Sequence, residues 1–413
     1  MLPHPSGSCF IRALGRCGPW ALLAGVPLIA ACGGPREPRA VTVPFALDHN
    51  RMLVDAEIRR PDGTWRAVRL WVDSGNPDFL ISEGLARDLG IELSAAAVAA
   101  VGSRPPLEVP PPAAIRIGRM TLDFTGVKSM VMFEPRWLFD TMHNDANLPA
   151  TVLRRYDVVF DYPGRRFTLG APGSAHRGAR AAASVCAASG IVQLDAVIDG
   201  DRLSLALDNG ASYSFISGEV LARLGERHPE WPRHTGALGA ANMWGWWPHE
   251  AEWPVVRVPA IDWGSVTLHD VGLVGLPGIG AWYSQKTARP VDGFLGANAL
   301  QAFRVEFDYV GGAVYFEKTG PDLPDMDLVG LTLRGEPDGV YRVVGVAEKD
   351  GRPAVEGVQP GDALLEIDAL RTSGATMGTV VDALRGRPGD VRRLVLERDG
   401  VRHMIRARVE RFL

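Results

Sequence analysis

What this 413-residue chain lacks narrows its function first. It has four cysteines, Cys9, Cys17, Cys32 and Cys186, too few and too scattered for a disulfide scaffold. Its nine histidines show no His-Glu-x-x-His spacing, and there is no Gly-x-Ser-x-Gly elbow. The usual zinc-protease and serine-hydrolase patterns are therefore absent. Basic excess is missing too: the net charge is −4, which gives no electrostatic footprint for nucleic acid. The apolar run "ALLAGVPLIAA" near the start is too short to span a bilayer. What the chain does have is 47 glycines and 31 prolines, the composition of a turn-rich and strand-dominated protein with room for two or three domains.

Residues 1–31 carry Arg12 and Arg16, no acid, and then that apolar run, which together predict a secretory signal. The run ends in Ile29-Ala30-Ala31-Cys32, which resembles the lipobox of bacterial lipoproteins. The resemblance implies lipidation at Cys32 and a chain anchored in the cell envelope, facing the periplasm. Gly33 rather than Asp follows, which in a Gram-negative host favours the outer membrane over the inner. An ordinary signal peptide cut nearby is the plainer reading. The lipobox also accounts for the cysteines. Two leave with the signal, one is acylated, and Cys186 is left without an internal disulfide partner.

The stretch "RLWVDSGNPDFLIS" raises the central question, because a run that reads as a buried strand stops at Asp73-Ser74-Gly75. A carboxylate there must be satisfied or it is costly to bury. Alone, the triplet is an ordinary turn. Self-similarity makes it more than that. "DSGNPDFLISEGLARDLG" (73–90) aligns without gaps with "DNGASYSFISGEVLARLG" (208–225), six of eighteen residues being identical. Each copy is preceded by a strand, a turn at Pro61-Asp62-Gly63 or Asp199-Gly200, and a second strand. Ser82 and Ser217 are each placed to cap a following helix, with Gly90 or Gly225 to end it. Downstream, "DANLPATVLRRYDVVFDYPGRRFTL" (145–169) aligns with "DGFLGANALQAFRVEFDYVGGAVYF" (292–316), nine of twenty-five being identical. Asp161 and Asp308 in these segments read as strand-end residues beside a turn rather than as catalytic groups.

An Asp-Thr/Ser-Gly motif closing a strand, followed later by two apolar residues and Gly, is the signature of pepsin-like and retropepsin-like aspartic proteases. Asp73-Ser74-Gly75 resembles it in the first copy. Asp208-Asn209-Gly210 with Phe294-Leu295-Gly296 resembles it in the second. The likeness covers roughly residues 41–318. It implies a mainly β, bilobal acid-protease fold with lobes at 32–171 and 190–318, a linker at 172–189, and one shared cleft in a monomeric chain. It also implies that Asp73 and Asp208 are the catalytic pair, needing neither metal nor other cofactor, with Ser74, Gly75, Asn76, Asn209, Gly210 and Gly296 in support.

The chemistry accounts for the pairing. Two carboxylates sharing one proton supply both the base that activates water and the acid that protonates the leaving group. Three positions depart from the family pattern: Asn209 stands for Ser or Thr, Pro149 for the Gly matching Gly296, and Asn76 for Ser, Thr or Ala. Asn76 could hydrogen-bond the Asp73 carboxylate. Trp244, Trp246 and Trp247 in the second variable middle suit either an aromatic lid or core packing.

Residues 319–327 read as a linker. "GVQPGDALLEIDAL" (357–370) resembles the turn and strand of bacterial PDZ domains, with a helix in 378–390 ending near Gly386 and a hairpin turned by Asp399-Gly400. The likeness covers about residues 328–413. It implies either packing against the lobes or capture of a C-terminal peptide at Gly339, Val340, Tyr341 and Arg342 and the strand after them. Both catalytic motifs end before residue 320, so a chain stopping near Lys318 is expected to keep peptide cleavage.

The whole reads as a lipid-anchored aspartic endopeptidase acting on peptides or proteins. The alternative is a pepsin-like scaffold lipoprotein that has lost catalysis and binds peptides or partner proteins through its cleft and PDZ domain.

Overall fold

Alternating apolar residues write most of the strands. Trp65–Asp73 alternates at its start and becomes wholly buried over Leu70–Asp73, where it runs into the centre of the molecule. The computed structural model describes residues 39–93, 106–133, 139–171, 173, 176–235, 239–240, 252–321, 326–336, 338–349 and 352–412. The signal-like segment, Cys32, Trp244, Trp246 and Trp247 lie outside the described residues.

The chain is mainly β. The repeat seen in the sequence reappears as topology. One sheet has the neighbour order Ser129–Met132, Phe79–Ser82, Ala146–Pro149, Trp65–Asp73, Arg51–Arg59. A second has Val266–Leu276, Ser214–Ser217, Gly293–Leu295, Asp201–Leu207, Val192–Ile198. In both, successive pairings run parallel, antiparallel, parallel, antiparallel. In each sheet a short strand from late in the copy lies between the two strands that flank the Asp-x-Gly turn.

A third sheet of six strands takes hairpins from both copies, with Asp157–Asp161 antiparallel to Phe303–Asp308. Asp161 and Asp308 close these strands and accept the amide N–H of Gly164 and Gly311 (2.9 and 2.6 Å), the turn role expected of them. The expected linker 172–189 includes two strands. Ala179–Ala182 joins the shared sheet and Ser184–Val185 joins the second sheet.

Ser82 caps the helix Glu83–Asp88 and Ser217 caps Gly218–Arg227. Gly90 follows the first helix with φ +70°. Gly225 does not end the second, which runs on to Arg227; that side chain is held by Asp199 and Asp201.

After residue 326 comes a sheet in the order Leu331–Gly335, Tyr341–Val346, Ala363–Ile367, Val391–Arg398, Val401–Arg408, with the helix Met377–Leu384 packed on it. The last two strands turn at Asp399-Gly400, both at positive φ. One expectation is corrected here. Gly339 and Val340 sit in a tight turn, and Tyr341 and Arg342 are paired on both sides, to Arg334–Gly335 and to Ala363–Leu364. Their ladder positions are taken, so residues 339–342 offer no free edge to a peptide. The outer strand is Leu331–Gly335, and along it Gly239–Ala240 runs parallel. Met326, Leu328, Ala347 and Phe412 share an apolar cluster with Trp253, Val255, Tyr283 and Phe294 of the second copy. Among the described residues, no helix is long and apolar enough to cross a membrane.

Candidate active site

Asp73 ends its strand and Asp208 directly follows Leu207 at the end of the matching strand. The two turns pack face to face. A Cβ on Gly75 would stand 2.1 Å from the Asp208 carboxyl carbon, and one on Gly210 would stand 2.4 Å from Asp73 Oδ1. Each carboxylate thus lies over the other turn's glycine, where only glycine leaves room. The backbones are tied across the same centre. Asn209 N–H donates to Ser74 Oγ (3.0 Å), Ser74 N–H donates to Asn209 Oδ1 (2.9 Å), and Ser74 Oγ donates to the Leu207 carbonyl (3.1 Å). Asn209 therefore supplies the acceptor that a Ser or Thr hydroxyl would supply, and the Tyr162 hydroxyl lies beside its side chain.

Both carboxyl groups are buried, Asp73 at 1 % and Asp208 at 7 % exposure. Burial pushes Asp73 above the usual carboxylate range, and the Asp208 charge adds to it. Asn147, the Gly75 amide and Arg51 pull the other way. Burial raises Asp208 as well, opposed by the Gly210 amide, Arg51, the Ala211 amide and Lys286. The donors are unequal. Asp208 Oδ1 accepts two N–H groups, from Gly210 (3.0 Å) and Ala211 (3.1 Å). Asp73 accepts the Gly75 N–H at 3.2 Å and a long contact from Asn147 Nδ2 at 3.5 Å. In a pair that titrates as a unit, this asymmetry favours charge on Asp208 and the shared proton on Asp73.

Asn76 does not bond Asp73 as expected. Its Oδ1 accepts the Asp78 N–H in a local turn, and its carbonyl accepts the Ala150 N–H. Pro149 fits because the place it fills is extended: φ is −81° at Pro149 and −89° at Gly296. Gly296 N–H donates to Ser214 Oγ, whereas Phe79 stands where Ser214 stands in the repeat, so proline's missing N–H leaves no acceptor unmet. Gly296 itself has no space for a side chain, a Cβ there lying 2.1 Å from the Tyr213 carbonyl oxygen.

Four neighbours of the pair were not singled out from sequence. Tyr283 OH donates to the Gly75 carbonyl (2.8 Å) and lies within reach of Asp208. Trp71 Nε1 donates to the Gly210 carbonyl (3.1 Å). Asn147 Oδ1 accepts the Leu80 N–H (2.7 Å) while its amide reaches Asp73. The fourth is Arg51, 3 % exposed, with its Cζ 4.9 Å from the Trp71 ring centre. Asn147 carried a signal, a polar residue in an apolar run. Arg51 carried none, since "DHNR" between two strands reads as a solvated turn. Among the described residues no cluster of His, Cys, Asp and Glu is arranged to hold a metal ion.

A scan against protein-family models gives no match for this chain, and a search of curated proteins gives none.

Proposed function

We propose that the chain is an aspartic endopeptidase with a bilobal pepsin-like fold, and that Asp73 and Asp208 are its catalytic pair. The observation that carries this is the face-to-face placement of two buried carboxylates, each over the other's glycine, in two sheets of the same topology. In the proposed reaction a water lies between the carboxyl groups. Asp208, held as the anion by two amides, takes its proton as the oxygen attacks the peptide carbonyl. Asp73 gives its proton to the carbonyl oxygen; as the C–N bond breaks, Asp208 passes the water-derived proton to the leaving nitrogen and Asp73 takes a proton back from the diol, which restores the pair. Tyr283 and Trp71 fix the two turns so that neither carboxylate swings away from the other.

The C-terminal sheet and helix are read as a PDZ-like module, and Cys32 as the site of lipid attachment in the cell envelope. The scaffold alternative rested on Asn209 and Pro149. It loses that ground, because Asn209 makes the cross-turn bond and Pro149 leaves no bond unmade. The test is cleavage of a denatured protein by the purified chain, inhibited by pepstatin, an inhibitor of this class. A folded chain that cuts no peptide bond between pH 3 and 8 would leave only the scaffold. For the anchor, Cys32→Ser should lose acyl label and leave the membrane fraction, and retained label would overturn the lipobox reading.

A further inference from the structure

Asp48 and Arg51 face each other across the turn of a two-residue hairpin between Ala46–Asp48 and Arg51–Arg59. His49 and Asn50 both have positive φ (45° and 65°), the twist such a turn requires. Hairpin tips are normally solvated, yet all four residues of this one are buried, none more than 9 % exposed. It is wedged between the carboxylate pair and the C-terminal module. On one side Asn50 Nδ2 donates to the Ser212 carbonyl (3.1 Å), just past Asp208. Arg51 lies over Trp71, whose indole holds the Gly210 carbonyl, and its Nη1 meets Met142 Sδ at 3.6 Å. On the other side Asp48 Oδ1 accepts the Gly378 N–H (2.9 Å) in the first turn of the C-terminal helix. A Cβ on Gly378 would stand 2.5 Å from the His49 nitrogen, so the module's backbone lies directly on the tip.

A guanidinium is costly to bury without anions nearby. The anions that act on Arg51 are Asp73, Asp208 and Asp48, in that order, and burial leaves it with a pKa of about 10, still a cation at neutral pH. The other titratable groups near the tip do not replace it. His49 is held neutral by burial and by Arg51 and Arg385. Asp382 of the helix acts on Asp48, and Lys286 acts on Asp208 from the second copy. Tyr162 and Tyr283 stay uncharged.

We propose that Arg51 is a positioning residue of the carboxylate pair, holding it in its singly ionised form, and that the C-terminal module keeps Arg51 in place through the Asp48–Gly378 contact. The module is then part of the catalytic unit. This reverses the expectation that a chain stopping near Lys318 keeps its activity. The proposal rests on reading Asp73 and Asp208 as the reacting pair.

The test uses the full chain with ¹³C-carboxyl aspartate, following the Asp73 and Asp208 signals against pH, alongside the pH profile of peptide cleavage. A neighbouring cation lowers carboxyl pKa values by about 1–3 units. Arg51→Gln should therefore move both titration steps, and both limbs of the rate profile, upward by about one unit or more. Arg51→Lys should return them most of the way. Gly378→Ala, which displaces the tip without removing a charge, should shift them in the same direction and lower kcat more than it raises KM. Should Arg51→Gln not fold, Arg51→Met keeps the apolar stem over Trp71 and gives the same reading. Superimposable titrations for wild type and the uncharged variants would overturn the role of Arg51. Unmoved titrations in Gly378→Ala would overturn the role of the module. If the carboxyl signals shift as stated but no peptide is cut, the protease reading fails and the coupling stands.

Discussion

At the scale of single residues, the pair is defined by what surrounds it. Glycine at 75 and 210 is a steric requirement, since any side chain would occupy the space of the opposite carboxylate. The folded state prefers Asp73 protonated, because burial and the Asp208 charge outweigh its donors and Arg51. A carboxyl whose folded pKa lies above its unfolded value of about 3.9 binds more protons in the folded chain. Stability then falls as pH rises from the unfolded value through the raised one. Asp73→Asn imitates the protonated form and removes that loss. Its melting temperature should exceed the wild type's at pH 8 by a few degrees and match it at pH 4, measured by scanning calorimetry. An equal drop at both pH values would contradict the assignment of burial as the main cause. These residue-level facts were half legible. The two aspartates and their glycines stood out by repetition. Arg51 and Tyr283 did not, because their position depends on segments distant in sequence that meet only in the fold.

At the scale of elements, the exchange between the two turns is the joint that fixes the carboxylates. Asn209 has a definite task there, accepting the buried Ser74 N–H. Asn209→Ala would leave that donor without its acceptor, a cost of about 1–3 kcal/mol. Asn209→Ser restores an acceptor at the cost of a smaller side chain beside Tyr162. Urea denaturation should rank wild type above Ser and Ser above Ala, with activity following the same order. If Ala were as stable as Ser, the cross-turn bond would have no energetic role. The departures at Asn209 and Pro149 were visible in sequence, but their meaning was not. It lies in partners, Ser74 for one and Phe79 in place of Ser214 for the other, that only the strand order brings alongside. Asn76 shows the reverse: its type suggested a bond to Asp73, and its own local turn claims the side chain first.

At the scale of the molecule, the duplication is the feature that sequence conveyed best. Gap-free alignment of two pairs of segments indicated which strands would correspond, and both sheets repeat that order and sense. The C-terminal module was legible as a strand-helix-hairpin unit. Its seating was not, because the Asp48–Gly378 contact joins residues far apart in the chain and involves a backbone N–H, which leaves no trace in composition. The same holds for the shared apolar cluster of Phe412, Leu328, Trp253 and Tyr283, whose members look like ordinary core residues one at a time.

In the proposed reaction two carboxylates from two halves of one chain act as one group. Groups acting as a unit are not additive, and general acid–base contributions are typically about 10²–10⁴-fold. The most direct measurement is therefore kcat/KM on one unstructured peptide for wild type, Asp73→Asn, Asp208→Asn and the double variant. Each single variant should lose at least about 10²-fold, and the double variant should be little worse than either. Retention of cleavage by Asp208→Asn alongside its loss in Asp73→Asn would mean that the two carboxylates do not act together, since the second half would then take no part in the chemistry.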